Sequence, residues 1–109
     1  MAVIFKNKIV KDVGLTPIDA ITVPANRTVT VIGIAMTNIM DSPVLGSVLI
    51  KDDTSVTANY IKDAPIAPNS SMRPIAAGEK LTLQENYTLQ VKSSYPDSLD
   101  AIISYVEQV

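Results

Sequence analysis

RTVTVIGIAMTN, residues 27–38, carries two patterns in one run. Its first half alternates Thr28, Val29, Thr30 and Val31, the period of two of a strand with one wet and one dry face. Its second half, Ile32 to Met36, is apolar on both faces. That pattern predicts a central strand whose far end is covered on both sides, with another subunit as one candidate cover. Gly33 inside it predicts a bulge or a close backbone approach.

The same period extends outward in both directions. Upstream, Pro24-Ala25-Asn26 is a turn cluster that stops a strand over residues 18–23. Gly14 to Pro17 turns the chain again, after a first strand over residues 3–10 with Val3, Phe5 and Ile9 expected inward. Downstream, Met40 to Pro43 is a turn, residues 44–51 a strand, and Asp52 to Ser55 a loop. Residues 56–62 follow as a strand with Val56, Ala58 and Tyr60 on one face. Residues 64–71 contain Pro65 and Pro68, which predicts an edge segment or a loop.

Residues 80–84 and 87–92 then alternate cleanly, separated only by Glu85-Asn86, which predicts a tight hairpin. After a turn at Pro96-Asp97-Ser98, residues 99–106 close the series. A helix over the final segment, with Ser98 as N-cap, is the competing reading. Its β-branched and aromatic content favours a strand. Eight or nine short strands with frequent turn signals predict one all-β domain over residues 1–109. The expected architecture is an antiparallel β-sandwich, jelly-roll or immunoglobulin-like.

Composition narrows the chemistry. The chain has 109 residues and 47% hydrophobic residues, enough for one modest core. Aromatic residues are scarce, so that core must come from Val, Ile, Leu and Ala. Net charge is −2, and the only basic cluster is Lys6, Lys8 and Lys11 on the first strand. A nucleic-acid footprint needs more positive charge on one face, so no nucleic-acid partner is expected. Lysines on an edge strand commonly oppose unwanted pairing.

With no Cys and no His, the chain lacks thiolate chemistry, disulfides, the commonest metal ligand and the usual general base. No apolar run approaches the ~18 residues of a membrane-spanning helix. The opening residues do not form a signal peptide, which predicts synthesis in a cytoplasm. Asp52-Asp53 is the one acidic pair worth testing for a cation, but its spacing fits a solvated turn better than a calcium loop. Glu79 and Glu85 bracket a strand without the aromatic platforms expected of a sugar hydrolase. No catalytic, metal or cofactor site is expected.

Association is the remaining use of the surface. Arg73 beside Met72, in an irregular loop over Pro65 to Pro74 that includes Pro68, fits an interface anchor. The basic strand (Lys6, Lys8) and the apolar residues Ile34, Met36, Ile39 and Met40 are further interface candidates, with core packing the competing reading for the methionines. A homo-oligomer is expected, a trimer being one option.

MAVIFKNKI, Val23-Pro24-Ala25, VTVIGIAMTN, TANYIKDAPIAPNSS, GEKLTLQENYTLQVKSS and SLDAIISYVE follow one another along nearly the whole chain. In that order they resemble a group of small virion proteins of tailed phages of marine bacteria. The family hairpin typically has Gly-Asp at its tip, where this chain has Glu85-Asn86. The resemblance implies a non-enzymatic structural part of the virion. Proteins of this kind commonly act as capsid decoration (cement) proteins, with the major capsid protein or another virion protein as partner. Others belong to the neck, tail, baseplate or fibres. A host-surface or glycan-binding module is a rival expectation, and it requires an exposed aromatic cluster of Tyr60, Tyr87 and Tyr95.

Overall fold

The structure, a computed structural model, describes residues 3–75 and 80–109. Glu79 of the tested carboxylate pair, and the Gly78 turn, lie outside the described residues. Nine strands follow one another, with no helix among the described residues: β1 (Val3–Val13), β2 (Ile18–Thr22), β3 (Thr28–Asn38), β4 (Val44–Lys51), β5 (Thr57–Ile66), β6 (Ser71–Ile75), β7 (Leu81–Leu83), β8 (Thr88–Ser93) and β9 (Leu99–Gln108).

They form two antiparallel sheets. One has the order β1-β9-β3-β6, with β7 also paired to β3, and the other the order β2-β8-β4-β5. Pairing is nested: first strand with last, second with second-last, and β4 with β5 innermost. A long antiparallel hairpin rolled into two facing sheets has this order, which makes the sandwich a jelly roll. β3 is central, as its pattern requires, paired with β9 along its length and with β6 and β7 on its other side. The bulge expected at Gly33 is present, where the register shifts between Val31 and Gly33.

The core is aliphatic. Val29, Val31, Ile34 and Met36 of β3 meet Val48, Leu89 and Val91 of the four-stranded sheet, all at most 2% exposed. Burial of each such side chain contributes about 1.5–3 kcal/mol, before the cost of ordering the chain. Two buried polar groups hold corners between the sheets. Asn38 is fully buried. Its Nδ2 donates to the carbonyls of Ser42 (2.9 Å) and Ile66 (3.1 Å), and its Oδ1 accepts from Met40 N (2.8 Å). Ser98, also buried, pairs with the Ser93 hydroxyl across the β8–β9 corner.

Three expectations change. Glu85-Asn86 does form a tight turn, closed by Tyr87 N donating to Gln84 O (3.1 Å), with Asn86 at φ 65°. It is not a hairpin, because β7 lies in one sheet and β8 in the other. Glu85 points back and accepts from Asn26 N (2.6 Å), tying this corner to the one before β3. Next, the interface loop expected over residues 65–74 is mostly strand, while the edge position expected for residues 64–71 holds. Pro65 continues β5, an edge strand where its missing N–H is harmless, and a corner over 67–70 leads into β6. Finally, β1 presents the opposite face to that expected. Val3, Phe5 and Ile9 are 48%, 76% and 67% exposed, whereas Val10 and Val13 are buried.

Candidate interaction face

The register against β9 explains the inversion on β1. Residues directly opposite in an antiparallel pair share a face. Val10 pairs with Ala101 and Lys8 with Ile103, and Ala101 and Ile103 are both fully buried. The even-numbered side of β1 is therefore the core side. Phe5, Asn7 and Ile9, paired with Val106, Ser104 and Ile102, face outward. β3 extends the same face, with Gly33 opposite Ser104, Ala35 opposite Ile102 and Thr30 opposite Val106. At the bulge Ile32 joins Gly33 on the outer side and is 41% exposed.

The outer face of the five-stranded sheet thus carries an apolar patch of Phe5, Ile9, Ile32, Ala35, Ile102 and Val106. Thr28, Thr30, Thr82, Gln108, Arg73 and Asp100 surround it. The patch is not flat. Gly33 and Ser104 have little side-chain bulk, so a depression of about 320 Å³ opens over them, bounded by Ala35, Ile102, Ile75 and Arg73. A second, more open one sits between Phe5 and Ile32 and shares Ser104. A Cβ built on Gly33 would meet no atom within 4 Å.

The four-stranded sheet is more polar outside. Its outward positions include Asp19, Gln90 and Leu49 on one row and Lys92 on another, where Ser47 is buried and its hydroxyl accepts from Asp63 N (3.0 Å). The Gln90 amide donates to Asp19 Oδ1 at 2.7 Å.

The candidate interface residues separate accordingly. Ile34 and Met36 are 2% and 0% exposed, and they point into the core. For them the surface reading is corrected: β3 turns its odd-numbered apolar residues out after the bulge and its even-numbered ones in. Met72 pairs with Met36 and packs half-buried against the core, as does Met40. Pro68 and Pro74 are half-buried, and Ile39 is exposed. Arg73 is exposed on the rim of the depression over Gly33, with no salt bridge among the described residues. Lys8 is exposed.

Lys6 is held from inside. Its ammonium lies 3.3 Å from Glu107 Oε2, which also accepts from the Arg27 guanidinium. Glu107 is only 4% exposed. The Arg27 hydrogen bond, aided by Lys6, holds its carboxyl below the ordinary glutamate range against the opposing effect of burial. The cluster fastens β1 and the start of β3 to the end of β9.

Asp52 also has a local task. Its Oδ1 accepts from Thr54 N (2.8 Å), Thr54 Oγ1 (2.8 Å) and Val56 N (2.9 Å). These bonds, the Thr54 hydroxyl first, lower its carboxyl below the ordinary range and close the β4–β5 loop. Among the described residues, no group of three His, Cys, Asp or Glu side chains is arranged to hold a metal. The tyrosines do not form the exposed cluster that a glycan platform needs: Tyr60 and Tyr87 pack half-buried on the core, and Tyr95 is 54% exposed.

Phe5, Ile9 and Ile102 escaped the reading of the sequence as surface residues. The signal was present in the alternation of Phe5 and Ile9 with Lys6 and Lys8. Alternation separates two faces of a strand but does not say which one meets the core.

No family model matches the chain, and no curated protein does. Among solved structures, the fold is similar to a chain of Bacillus endospore appendages, described as a novel family of disulfide-linked pili. The TM-score is 0.59 at 7% identity, covering 98% of this chain and 88% of that one. At this identity the likeness is one of fold.

Proposed function

We propose that this chain is a non-enzymatic structural subunit of a tailed-phage virion, a decoration (cement) protein on the outer surface of the head. The observation that carries the reading is the apolar, outward face of the five-stranded sheet. Contiguous exposed apolar surface with a polar rim is a common mark of a protein–protein contact. The chain lacks both Cys and His, so association by buried surface suits it better than chemistry. The resemblance of the whole chain to phage virion proteins supplies the setting. Weak contacts of one small domain, repeated over a lattice, add up to firm attachment.

A second reading draws on the fold. The similar solved chain belongs to an appendage described as a pilus, which favours an attached fibre, neck or tail element over the head surface. The disulfide linkage in that description does not transfer, because this chain has no cysteine. Immunogold electron microscopy of phage particles, with antibody raised against this chain, tests both. Label spread over the head is the expected result. Label confined to the neck, tail or a fibre replaces the first reading with the second, and unlabelled particles overturn both.

A further inference from the structure

We infer that the outer face of the five-stranded sheet docks on the same face of a second copy, as a two-fold dimer in which each Phe5 enters the other copy's depression over Gly33. The inference names a partner for the face on which the proposed function rests, and relies on that function only for its setting.

The face holds both a knob and a hole. Phe5 is 76% exposed on edge strand β1. The hole, over Gly33 and Ser104, is lined by Ala35, Ile102 and Ile75, with the Arg73 guanidinium at its rim. Phe5 sits opposite Val106 of β9, and the hole is centred on the far side of β9, around Gly33 and Ala35. Midway between them is Ser104. A two-fold axis through Ser104 exchanges the two features, so each knob meets a hole, as an isologous contact requires. An aromatic ring seated there lies beside a cation with no salt bridge among the described residues, a favourable pairing.

Charge permits the contact. Arg73 and Asp100 are of opposite sign and lie at the border of the face, and Lys6, which lines the second depression, is paired with Glu107. Side-by-side pairing of two β1 edges is the competing arrangement. Centred on Asn7, it would set Lys6 opposite the partner's Lys8, a like-charge pair. Area is sufficient. Four strands at about 4.8 Å spacing and up to about 36 Å length give a face of about 700 Å² per copy. Two copies then bury about 1,400 Å², within the roughly 1,200–2,000 Å² of specific interfaces.

Sedimentation velocity of the purified chain over a concentration series tests this directly. The expected result is a dimer, with Phe5→Asp and Ile102→Lys each raising the dissociation constant at least about 100-fold. Lys92→Glu, on the opposite sheet, leaves the dimer unchanged. Both disrupting variants alter exposed side chains, and circular dichroism checks that they fold. A second measurement avoids disruption altogether. Because the chain has no native cysteine, Ser104→Cys forms a disulfide across the axis on mild oxidation, whereas Lys92→Cys does not.

A monomer at about 100 μM overturns the inference, since specific interfaces of this size bind at micromolar concentrations or tighter. So do a dimer that survives both disrupting variants, a ring of three or more copies, and Ser104→Cys that stays uncrosslinked. A monomer that needs Phe5 to attach to phage heads overturns self-docking and leaves the proposed function standing. A dimer that labels no particle does the reverse.

Discussion

The two sheets of this sandwich share one core and differ on their outer faces. On the four-stranded sheet the outward rows carry Asp19, Gln90 and Lys92, with Leu49 and Leu45 as the larger apolar residues among them. That is the usual solution for a sheet with one wet side. On the five-stranded sheet the outward rows pair Phe5 with Val106 and Ile9 with Ile102, next to Ala35. Both sheets meet the needs of folding with their inner faces. Apolar residues on an outer face add nothing to this core, and their presence points to a use outside the single chain.

The sharpest way to break the contrast is to compare the two sides of β9. Leu99→Ala removes a side chain that is 1% exposed and should lower unfolding stability by about 2–5 kcal/mol. Ile102→Ala, three residues on but 47% exposed, should leave the unfolding of the isolated chain within about 0.5 kcal/mol of wild type while weakening association. Chemical denaturation at low protein concentration measures both. A large loss for Ile102→Ala would mean that its face is covered within the chain itself.

The Glu107 cluster is next. Glu107→Gln should cost about 1.5 kcal/mol, since Arg27 and Lys6 lose a charged partner but remain partly open to water. Its folded-state carboxyl lies below the ordinary 4.5. The stability it contributes is therefore complete above that value and is lost as pH falls through the lower folded value. Thermal midpoints from neutral to acidic pH should drop more steeply for wild type than for Glu107→Gln in the acidic window.

Two glycines sharpen the comparison further. A Cβ on Gly46 would come within 2.9 Å of Ile66 Cδ1 and 3.3 Å of Met36 Cε. Gly46→Ala should thus cost about 1 kcal/mol as those methyl ends shift. Gly33→Ala meets open space on the outer face and should be neutral for folding. The smallest effect belongs to the polar sheet. Asp19→Ala, which breaks the exposed bond to Gln90, should change stability by about 0.5 kcal/mol or less and leave association untouched, as denaturation and sedimentation will show.

Strand existence was legible where a run carries its own period of two and the turns carry Pro, Gly, Asn and Asp; β6 (Ser71–Ile75), short and holding Pro74, reads as loop instead. Gly33 announced its bulge in the same way. The face presented by each strand was less legible. Val3, Phe5 and Ile9 are the more hydrophobic side of β1, and the rule that apolar residues go inside assigns them to the core. The opposite side wins because Val10 enters the core opposite Ala101 and sets the parity of residues 3–10, while a register shift after Val10 lets the odd-numbered Val13 enter the core as well. Ile34 and Met36 went the other way: they looked available for a partner, yet the bulge at Gly33 rotates them inward.

What the sequence determined by itself is the class: an aliphatic, all-β chain of about nine strands with a central β3, unable to form disulfides or use histidine. Local periodicity and composition suffice for that, since each is a property of a few adjacent residues. Tertiary structure alone decided the rest. It sent β7 and β8 to different sheets through a turn that reads as a hairpin. It also placed Phe5, Ile102 and Gly33 on one outward face. Those residues are far apart in the chain, and only the pairing of β1 and β3 with β9 brings them together. Such pairing depends on long-range register, which no single stretch of residues encodes.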